Sequence, residues 1–365
     1  MTILFSPIVQ KLPDTVPFIG PETLERKQNR AFVARIGANE SAFGISKKAQ
    51  AAIQKAVSEQ GCSWYCDPEN HALRQSLSEK HNVSMENLCV DAGIDSLLGL
   101  TIRLFVAPGD TVVTSDGAYP TVNYHVNGFG GTLHSVPYLD NHEDTVALAQ
   151  AARQTKARLV YLANPDNPMG TCVSPDAIQA LLDELPQNCH LMLDEAYIEF
   201  MFATDALTLD MNDSRLIRFR TFSKAYGLAG MRIGYAIANA DIIKGYNRIR
   251  NHFGVNRLAQ IAATESLSDS AFLASVCEKI IKGRNHIYAL ASSYGLPYLE
   301  SSTNFVTVDA GSVEKADYLL SELAAQGVFI RKPAVSPMNR YIRIGIGNSA
   351  EQQYLEKSFS ALMST

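Results

Sequence analysis

The sequence predicts an α/β protein with a mostly parallel central sheet flanked by helices, followed by a smaller α+β region. Two observations favour this fold. Between about residues 88 and 255, short apolar runs alternate with amphipathic helical patterns, which is typical of βαβ units around a buried sheet. After residue 255 the order changes, because two long helical stretches precede several short strands.

The individual elements follow from hydrophobic periodicity and from the turn residues that bound each run. The strands predicted for the central sheet are 111–114, 132–136, 158–162, 190–193, 216–219 and 233–238. The helices predicted between them are 94–106, 121–128, 144–155 and 175–184. Beyond the sheet we expect helices at 257–268, 271–293 and 316–325 and strands at 304–309, 328–331 and 341–344.

The length of 365 residues is too great for one ordinary hydrophobic core. Residues 1–45 are rich in proline and glycine and are predicted to form an N-terminal arm that packs with the small domain. We therefore expect a large domain at residues 46–255 and a small C-terminal domain at residues 256–365.

Composition and charge limit the classes of partner and compartment. The net charge is −5 with no run of like charges, so neither nucleic acid nor a membrane surface is an expected partner. The six cysteines lack the spacing of a zinc site, and we expect no metal. Scattered cysteines, no secretory leader pattern and no long apolar run predict a cytoplasmic protein.

Polar residues follow the predicted strands, at the sheet edge where α/β proteins bind ligands. Asp194 ends the strand at 190–193, and a carboxylate buried there needs a cation such as a protonated pyridine nitrogen. The ordinary alternative is an aspartate that caps a helix. Lys224 follows the strand at 216–219, with Ser223 beside it and Arg232 eight residues later. This suits a Schiff base next to a phosphate, although most single lysines are solvated.

Weaker signals lie in three other loops. Asn167 stands in a turn stiffened by proline, and its amide can donate to a phenolate oxygen. Gly93 and Ile94 begin a predicted helix whose backbone N–H groups can bind a phosphate. Tyr119 follows a strand and can stack on a planar ring. Each of these features alone is equally typical of an ordinary turn, helix start or packing tyrosine.

Taken in order, four motifs resemble the class I/II, fold-type I aminotransferases that use pyridoxal 5′-phosphate (PLP). They are Asn167-Pro168-Met169-Gly170, Asp194-Glu195-Ala196-Tyr197, Ser223-Lys224 and Leu228-Ala229-Gly230-Met231-Arg232. Within these enzymes the chain is most similar to the histidinol-phosphate aminotransferase subgroup. Ala38-Asn39-Glu40, Trp64-Tyr65 and Arg343-Ile344-Gly345 also match it, so the resemblance extends from about residue 30 onward.

The resemblance implies PLP as cofactor, and Lys224, Asp194 and Tyr197 as catalytic residues. It implies that Lys224 carries the cofactor and moves the proton, and that Asp194 pairs with the pyridine nitrogen. The residues that it assigns to cofactor binding are Gly93, Ile94, Tyr119, Asn167, Asp194, Tyr197, Ser223, Lys224, Arg232 and Tyr65.

Tyr65 resembles a tyrosine that reaches the phosphate from the neighbouring subunit, so the resemblance implies a homodimer with shared active sites. The substrate-binding residues it implies are Arg343, Arg331, Asn39 and Phe43. Arg343 would bind the acidic group of the substrate, and Arg331 would assist it. Phe43 stands near the place where the subgroup commonly has a tyrosine, and Ile94 stands where the phosphate loop commonly has a polar side chain.

The expected function is transfer of an amino group between an amino acid or amino-alcohol phosphate and a 2-oxo acid. Both the amino donor and the 2-oxo acid acceptor are small molecules. Three alternatives stay open from the residues alone. The first is a decarboxylase or lyase of the same fold, similar to threonine-phosphate decarboxylases, and the second is an aromatic amino acid aminotransferase. The third is a binding module without catalysis, which the full set of motif residues disfavours.

Overall fold

A computed structural model describes residues 3–14, 18–59, 62–201 and 213–363. Eleven β-strands lie within these residues. They are β1 (Ala34–Arg35), β2 (Leu88–Asp91), β3 (Thr111–Ser115), β4 (Thr132–Val136), β5 (Leu159–Ala163), β6 (His190–Asp194), β7 (Leu216–Thr221), β8 (Gly234–Ala238), β9 (Phe305–Asp309), β10 (Val328–Phe329) and β11 (Tyr341–Gly345).

The same residues form twelve α-helices. They are α1 (Pro21–Gln28), α2 (Lys47–Glu59), α3 (His71–His81), α4 (Ile94–Phe105), α5 (Thr121–Gly128), α6 (Thr145–Thr155), α7 (Pro175–Glu184), α8 (Ala240–Ile249), α9 (Arg257–Leu267), α10 (Ser270–Ser293), α11 (Val313–Ala325) and α12 (Ser349–Met363). None of these helices is long and apolar enough to cross a membrane.

The central sheet has seven strands in the described part of the chain, in the order β2-β8-β7-β6-β5-β3-β4. Strands β4, β3, β5, β6 and β7 run parallel to one another, and β8 runs antiparallel to both β7 and β2. The expected mostly parallel sheet is therefore confirmed. Its parallel strands end at the same edge, which places the loops that follow them side by side.

Strands β5 and β6 lie inside the protein because helices cover both faces of the sheet. Tyr161 and Met192 pack into a core with α4 and α8, whereas Val160 and Leu191 pack on the opposite face with α6 and α7. Strands covered on both faces are apolar along their whole length, which explains the continuous apolar runs of the sequence.

The C-terminal region has two small sheets. Strands β9 and β11 pair antiparallel, and β1 from the N-terminal arm pairs parallel with β10. Their apolar side chains pack with α10, α11 and α12 in one core. Helix α9 packs instead on α2 and α3 beside the central sheet. The domain division at residues 45 and 255 stays a prediction.

The predicted elements of the sheet match the observed ones to within one or two residues. The N-terminal arm contains helix α1, although the sequence pattern there was irregular; Pro21 occupies a first-turn position, where its missing N–H costs no hydrogen bond. Helices α8 and α12 and strand β2 were not predicted individually. Strand β2 has only four residues, too few for a clear period.

Candidate active site

Asp194 is the last residue of β6, and its carboxylate is buried at the sheet edge with only neutral partners. Its side chain is 4% exposed. The Tyr161 hydroxyl donates to Oδ2 at 2.8 Å, and the backbone N–H of Ala196 donates to Oδ1 at 3.0 Å. Among the described residues no cationic side chain pairs with it. Burial raises the pKa of Asp194 to about 6, because the carboxylate is taken out of water without the cation that normally compensates a buried charge.

Lys224 lies in the loop after β7, and its amine has no carboxylate partner among the described residues. Nζ donates to the backbone oxygen of Asn39 at 3.2 Å and lies 5.5 Å from the centre of the Tyr197 ring. The Asn39 amide in turn donates to the Tyr197 hydroxyl at 2.9 Å. The structure therefore brings together these three predicted residues, which come from the arm and from two strand ends.

Arg343 on β11 contacts the loop after β5. Its Nη1 donates to Oδ1 of Asn167 at 2.5 Å, and its Nη2 donates to the backbone oxygen of Gly37 at 3.2 Å. A guanidinium can only donate, so Asn167 presents its oxygen to Arg343 and keeps its NH2 group as a donor for another acceptor. Burial lowers the pKa of Arg343 to about 10, and its buried Nε has no hydrogen-bond partner within the described part of the chain.

The start of α4 forms a second part of the site. Gly93 has a φ of +86°, and a Cβ on it would lie 2.7 Å from Nη2 of Arg232. Arg232 pairs with Asp95 at 3.3 Å, and the Tyr119 hydroxyl donates to the other Asp95 oxygen at 2.9 Å. The positive φ favours glycine at this position and brings the guanidinium close to the helix N-terminus, which suits an anionic ligand.

Ser223 lies at the carboxyl end of β7, and Arg331 lies next to Arg343. The Ser223 hydroxyl accepts from Thr221 Oγ1 at 2.9 Å, at the carboxyl end of β7. Arg331 forms a backbone ladder with Arg343, with the Arg343 N–H donating to the Arg331 oxygen at 2.6 Å. Its guanidinium donates to the Ile19 backbone oxygen at 2.7 Å, which brings the N-terminal arm to the site.

Tyr65 and Phe43 make no described contact with the charged residues of the site. Tyr65 is 84% exposed, and its ring contacts Phe253 with centroids 5.1 Å apart. Phe43 packs against the C-terminal core, and Nζ of Lys279 lies 5.4 Å from its ring centre. The contacts described for these two aromatic residues do not reach Asp194, Lys224 or Arg343.

Several residues of the site were not assigned from the sequence. Asp95 connects Tyr119 with Arg232, and Tyr161 donates to Asp194 from the neighbouring strand. The sequence signal for Asp95 is its position directly after Gly93 and Ile94, at the start of the helix that is predicted to bind the phosphate. Across the described residues, no cluster of three or more His, Cys, Asp or Glu side chains could hold a metal ion.

Comparisons with known proteins agree with this geometry. A family model described as "Aminotransferase class I and II" matches residues 33–359. The chain is similar to histidinol-phosphate aminotransferase 2 of Carboxydothermus hydrogenoformans, with 31% identity over 348 residues that cover 94% of each chain. The similarity to histidinol-phosphate aminotransferase 2 of Pasteurella multocida is 34% over 338 residues, covering 91% of this chain and 90% of the relative.

Among solved structures, the chain is similar to histidinol-phosphate aminotransferase from Sinorhizobium meliloti in complex with pyridoxal-5′-phosphate. The TM-score is 0.94 at 44% identity, covering 99% of this chain and 97% of the other. An aspartate aminotransferase variant from Thermus thermophilus shares the fold alone, with a TM-score of 0.82 at 19% identity and coverage of 99% and 100%.

Proposed function

The chain belongs to the class I and II aminotransferases, and from this premise we propose that its active site is the cluster around Lys224, Asp194 and Arg343. It has the fold of type I PLP enzymes and is a PLP-dependent transaminase. When bound, PLP supplies a protonated ring that accepts electrons from the substrate's reacting carbon.

The observation that carries the proposal is the missing cation at Asp194. A carboxylate with a pKa raised by burial is stabilised by a positive group that comes with a ligand. A protonated pyridine nitrogen is such a group, and Asp194 would hold its proton in place. The donor set fits the rest of the cofactor, because the free NH2 group of Asn167 and the hydroxyl of Tyr197 suit a phenolate oxygen.

The phosphate would lie at the start of α4. The backbone N–H of Ile94 opens this helix, whereas that of Gly93 donates to the Asp91 backbone oxygen at 2.7 Å, so Gly93 would serve by bringing the backbone close to the phosphate. Ser223 and Arg232 would supply a hydroxyl and a guanidinium. Tyr119 would stack on the ring while Asp95 fixes its hydroxyl. Ile94 would contribute its backbone N–H alone.

Lys224 would carry the cofactor and then move a proton at its Nζ. The Asn39 carbonyl accepts from this amine, and it can orient the lone pair that receives the proton. Arg343, with Arg331 beside it, would bind the acidic group of the substrate. Closure of the N-terminal arm over Arg331 would help exclude water from the site.

We infer that the amino group is exchanged between an amino-alcohol phosphate of the histidinol phosphate kind and a 2-oxo acid such as 2-oxoglutarate. The support is the shared subgroup of the relatives described above. Asn39 contacts Lys224 through its backbone oxygen. Phe43 would act on the substrate only indirectly, through the C-terminal core that it packs against.

We also propose a homodimer in which Tyr65 completes the neighbouring subunit's phosphate site. Tyr65 is 84% exposed and lies beside the exposed rings of Trp64 and Phe253, which form an apolar surface. The cytoplasm is the inferred location because all six cysteines are unpaired. Light scattering on the PLP-loaded protein should give twice the chain mass; a monomer would contradict the shared site.

The function is tested by the covalent position of PLP and by the product. Borohydride treatment of the purified protein should fix PLP to the peptide that contains Lys224, and a label on another lysine would exclude the assignment. A spectral screen of histidinol phosphate, glutamate and aromatic amino acids should then show conversion to the pyridoxamine form. Carbon dioxide release without a keto product would instead favour the decarboxylase.

A further inference from the structure

Two carboxylates behind the Asn167 loop are buried without a cationic partner among the described residues. Glu143 is 3% exposed and Asp166 is 2% exposed. Glu143 accepts from the Ser115 hydroxyl at 2.6 Å and from the Ala163 N–H at 2.9 Å. Asp166 accepts from the Tyr138 hydroxyl and from a backbone N–H, both at 2.9 Å. Every described donor to the two groups is neutral.

Asp166 holds the loop that presents Asn167. Its carboxylate accepts from the Met169 N–H, and its own backbone N–H donates to the Thr171 oxygen at 2.8 Å. These bonds close the loop on both sides of Asn167, whose Oδ1 accepts from Arg343 at 2.5 Å. The orientation of the Asn167 amide, and through it that of Arg343, therefore depends on Asp166.

Glu143 lies behind this loop and connects it to the sheet. It joins the ends of β3 and β5, because Ser115 closes β3 and Ala163 closes β5. The loop with Asn167 starts at the next residue after Ala163. A displacement of Glu143 would therefore move the root of the loop.

Burial opposes ionisation of both carboxylates, and it outweighs the neighbouring groups that favour the charged forms. Burial raises the pKa of Asp166 to about 7, although Arg343 and the neutral donors act in the opposite direction. Burial, with Asp166 and Asp194 as negative neighbours, raises the pKa of Glu143 well above its usual range. Tyr138 donates to Asp166, and burial, followed by the negative charges of Asp166, Glu143 and Asp116, raises the pKa of the Tyr138 hydroxyl.

We propose that Asp166 and Glu143 are a positioning pair for Asn167 and Arg343, and that the pair must hold a proton for the loop to keep its shape. If both carboxylates ionised, two buried charges would repel each other without compensation. The inference rests on the proposed function in one respect, namely that Arg343 binds a substrate carboxylate. The pair itself touches neither substrate nor cofactor.

The first test measures carboxylate binding to the PLP-loaded protein, with succinate as a probe that has no amino or keto group. Calorimetry at about pH 6 and about pH 8.5 brackets the titration of Asp166, whose pKa is about 7. Asp166→Asn keeps the shape and needs no proton, so its affinity at the lower pH should equal that of wild type and should fall less at the higher pH. An identical pH dependence in the two proteins would overturn the proposal.

Matched variants separate positioning from general damage. Asp166→Ala leaves the Met169 N–H without its acceptor, and succinate should bind about tenfold more weakly at both pH values. Glu143→Gln should behave like Asp166→Asn, and the exposed Asp176→Asn should behave like wild type. Should Asp166→Ala fail to fold, the asparagine and glutamine variants still decide the outcome.

The second readout is stability, which does not depend on the role of Arg343. A folded chain that retains a proton on Asp166 loses stability as the pH rises from about 4, the pKa of an unfolded aspartate, towards about 7. The urea midpoint of Asp166→Asn, relative to that of wild type, should therefore rise as the pH increases over this range. A difference between the two midpoints that does not change with pH would contradict a retained proton. A gain without any effect on succinate binding would refute the positioning role alone.

Discussion

Asp194 and Glu195 are adjacent in sequence and both are buried, yet their surroundings are opposite. Glu195 accepts from Arg218 at 2.6 Å and from Arg220 at 2.8 Å. Burial alone would raise the pKa of Glu195, but the two arginines outweigh it and hold the pKa below its usual value. Asp194 receives only a hydroxyl and a backbone N–H, and burial raises its pKa to about 6.

The difference separates a structural carboxylate from a ligand-binding one. The protein itself completes the charge balance of Glu195, which therefore needs nothing from outside. Among the residues that the structure describes, no cation pairs with Asp194 at the edge where the loops after β5, β6 and β7 meet. A buried carboxylate of this kind is a functional-site candidate, and in the proposed function its complementary charge would come with PLP.

The largest expected effect is on turnover, on the Asp194 side of the comparison. Lys224→Ala removes the amine that would carry the cofactor and move the proton, so kcat should fall by at least about 10³-fold. Exposed Lys244, which pairs with Asp241, provides a matched control, and Lys244→Ala should keep its rate. Steady-state kinetics with saturating PLP decides, and near-normal turnover of Lys224→Ala would refute the mechanism.

The next effect is on stability, on the Glu195 side. Glu195→Gln removes the buried carboxylate that pairs with both Arg218 and Arg220, and the free energy of unfolding should fall by about 3 to 5 kcal/mol. Asp194→Asn removes a charge that has no partner, so the cofactor-free protein should lose little or gain stability. Urea denaturation of both variants without PLP measures this contrast. Equal losses of unfolding free energy in Asp194→Asn and Glu195→Gln would contradict the distinction between a ligand-binding and a structural carboxylate.

A smaller effect is the opposite pH dependence of the two carboxylates. The raised pKa of Asp194 means that the folded chain without PLP loses stability as the pH rises from about 4 towards about 6, by up to about 1.4 kcal/mol per unit. Glu195, with its lowered pKa, stabilises the fold above about 4.5 and loses that contribution in acid.

The difference between wild type and each single variant isolates these two slopes. The advantage of Asp194→Asn over wild type should grow with pH, whereas the advantage of wild type over Glu195→Gln should shrink as the solution is acidified. When each difference is taken as wild type minus variant, the two slopes against pH should have opposite signs. The same sign at both positions would show that the two carboxylates share one electrostatic environment.

The smallest effect concerns the hydroxyl that supports Asp194. Tyr161→Phe removes the 2.8 Å hydrogen bond to Oδ2, so the carboxylate would be held less firmly and kcat/KM should fall by about 1 kcal/mol in transition-state terms, roughly fivefold. Tyr235→Phe, on the Arg220 side of the sheet, gives a matched loss of a buried hydroxyl. If both variants lost the same activity, Tyr161 would have no special role.

Much of the fold and the central residues of the site follow from the sequence. Apolar runs predict the buried strands, and the strand ends then place Asp194, Asn167 and Lys224 at one edge. The rule of alternation also indicates that Asp194 and Glu195 face opposite ways. It does not show which of them receives the arginines, because that depends on how β6 and β7 are paired.

Other features depend on contacts between distant segments. Asp166 and Glu143 are 23 residues apart, and no local pattern connects them. Asp95 acts through two partners that lie 24 and 137 positions further along the chain. Helix α12 and the short β2 take their stability from packing that the sequence period alone does not reveal, whereas α8 carries a local signal in Ile242, Ile243 and Tyr246, which are buried at helical spacing.

The most direct test of the central claim is the protonation state of the PLP ring nitrogen, read from its ¹⁵N chemical shift in protein loaded with labelled PLP. With wild-type protein the nitrogen should remain protonated through neutral pH, because Asp194 supplies the negative partner. With Asp194→Asn it should become neutral, while Glu195→Gln leaves it protonated. A protonated nitrogen in Asp194→Asn would contradict the assignment of Asp194 as the cofactor's counter-charge.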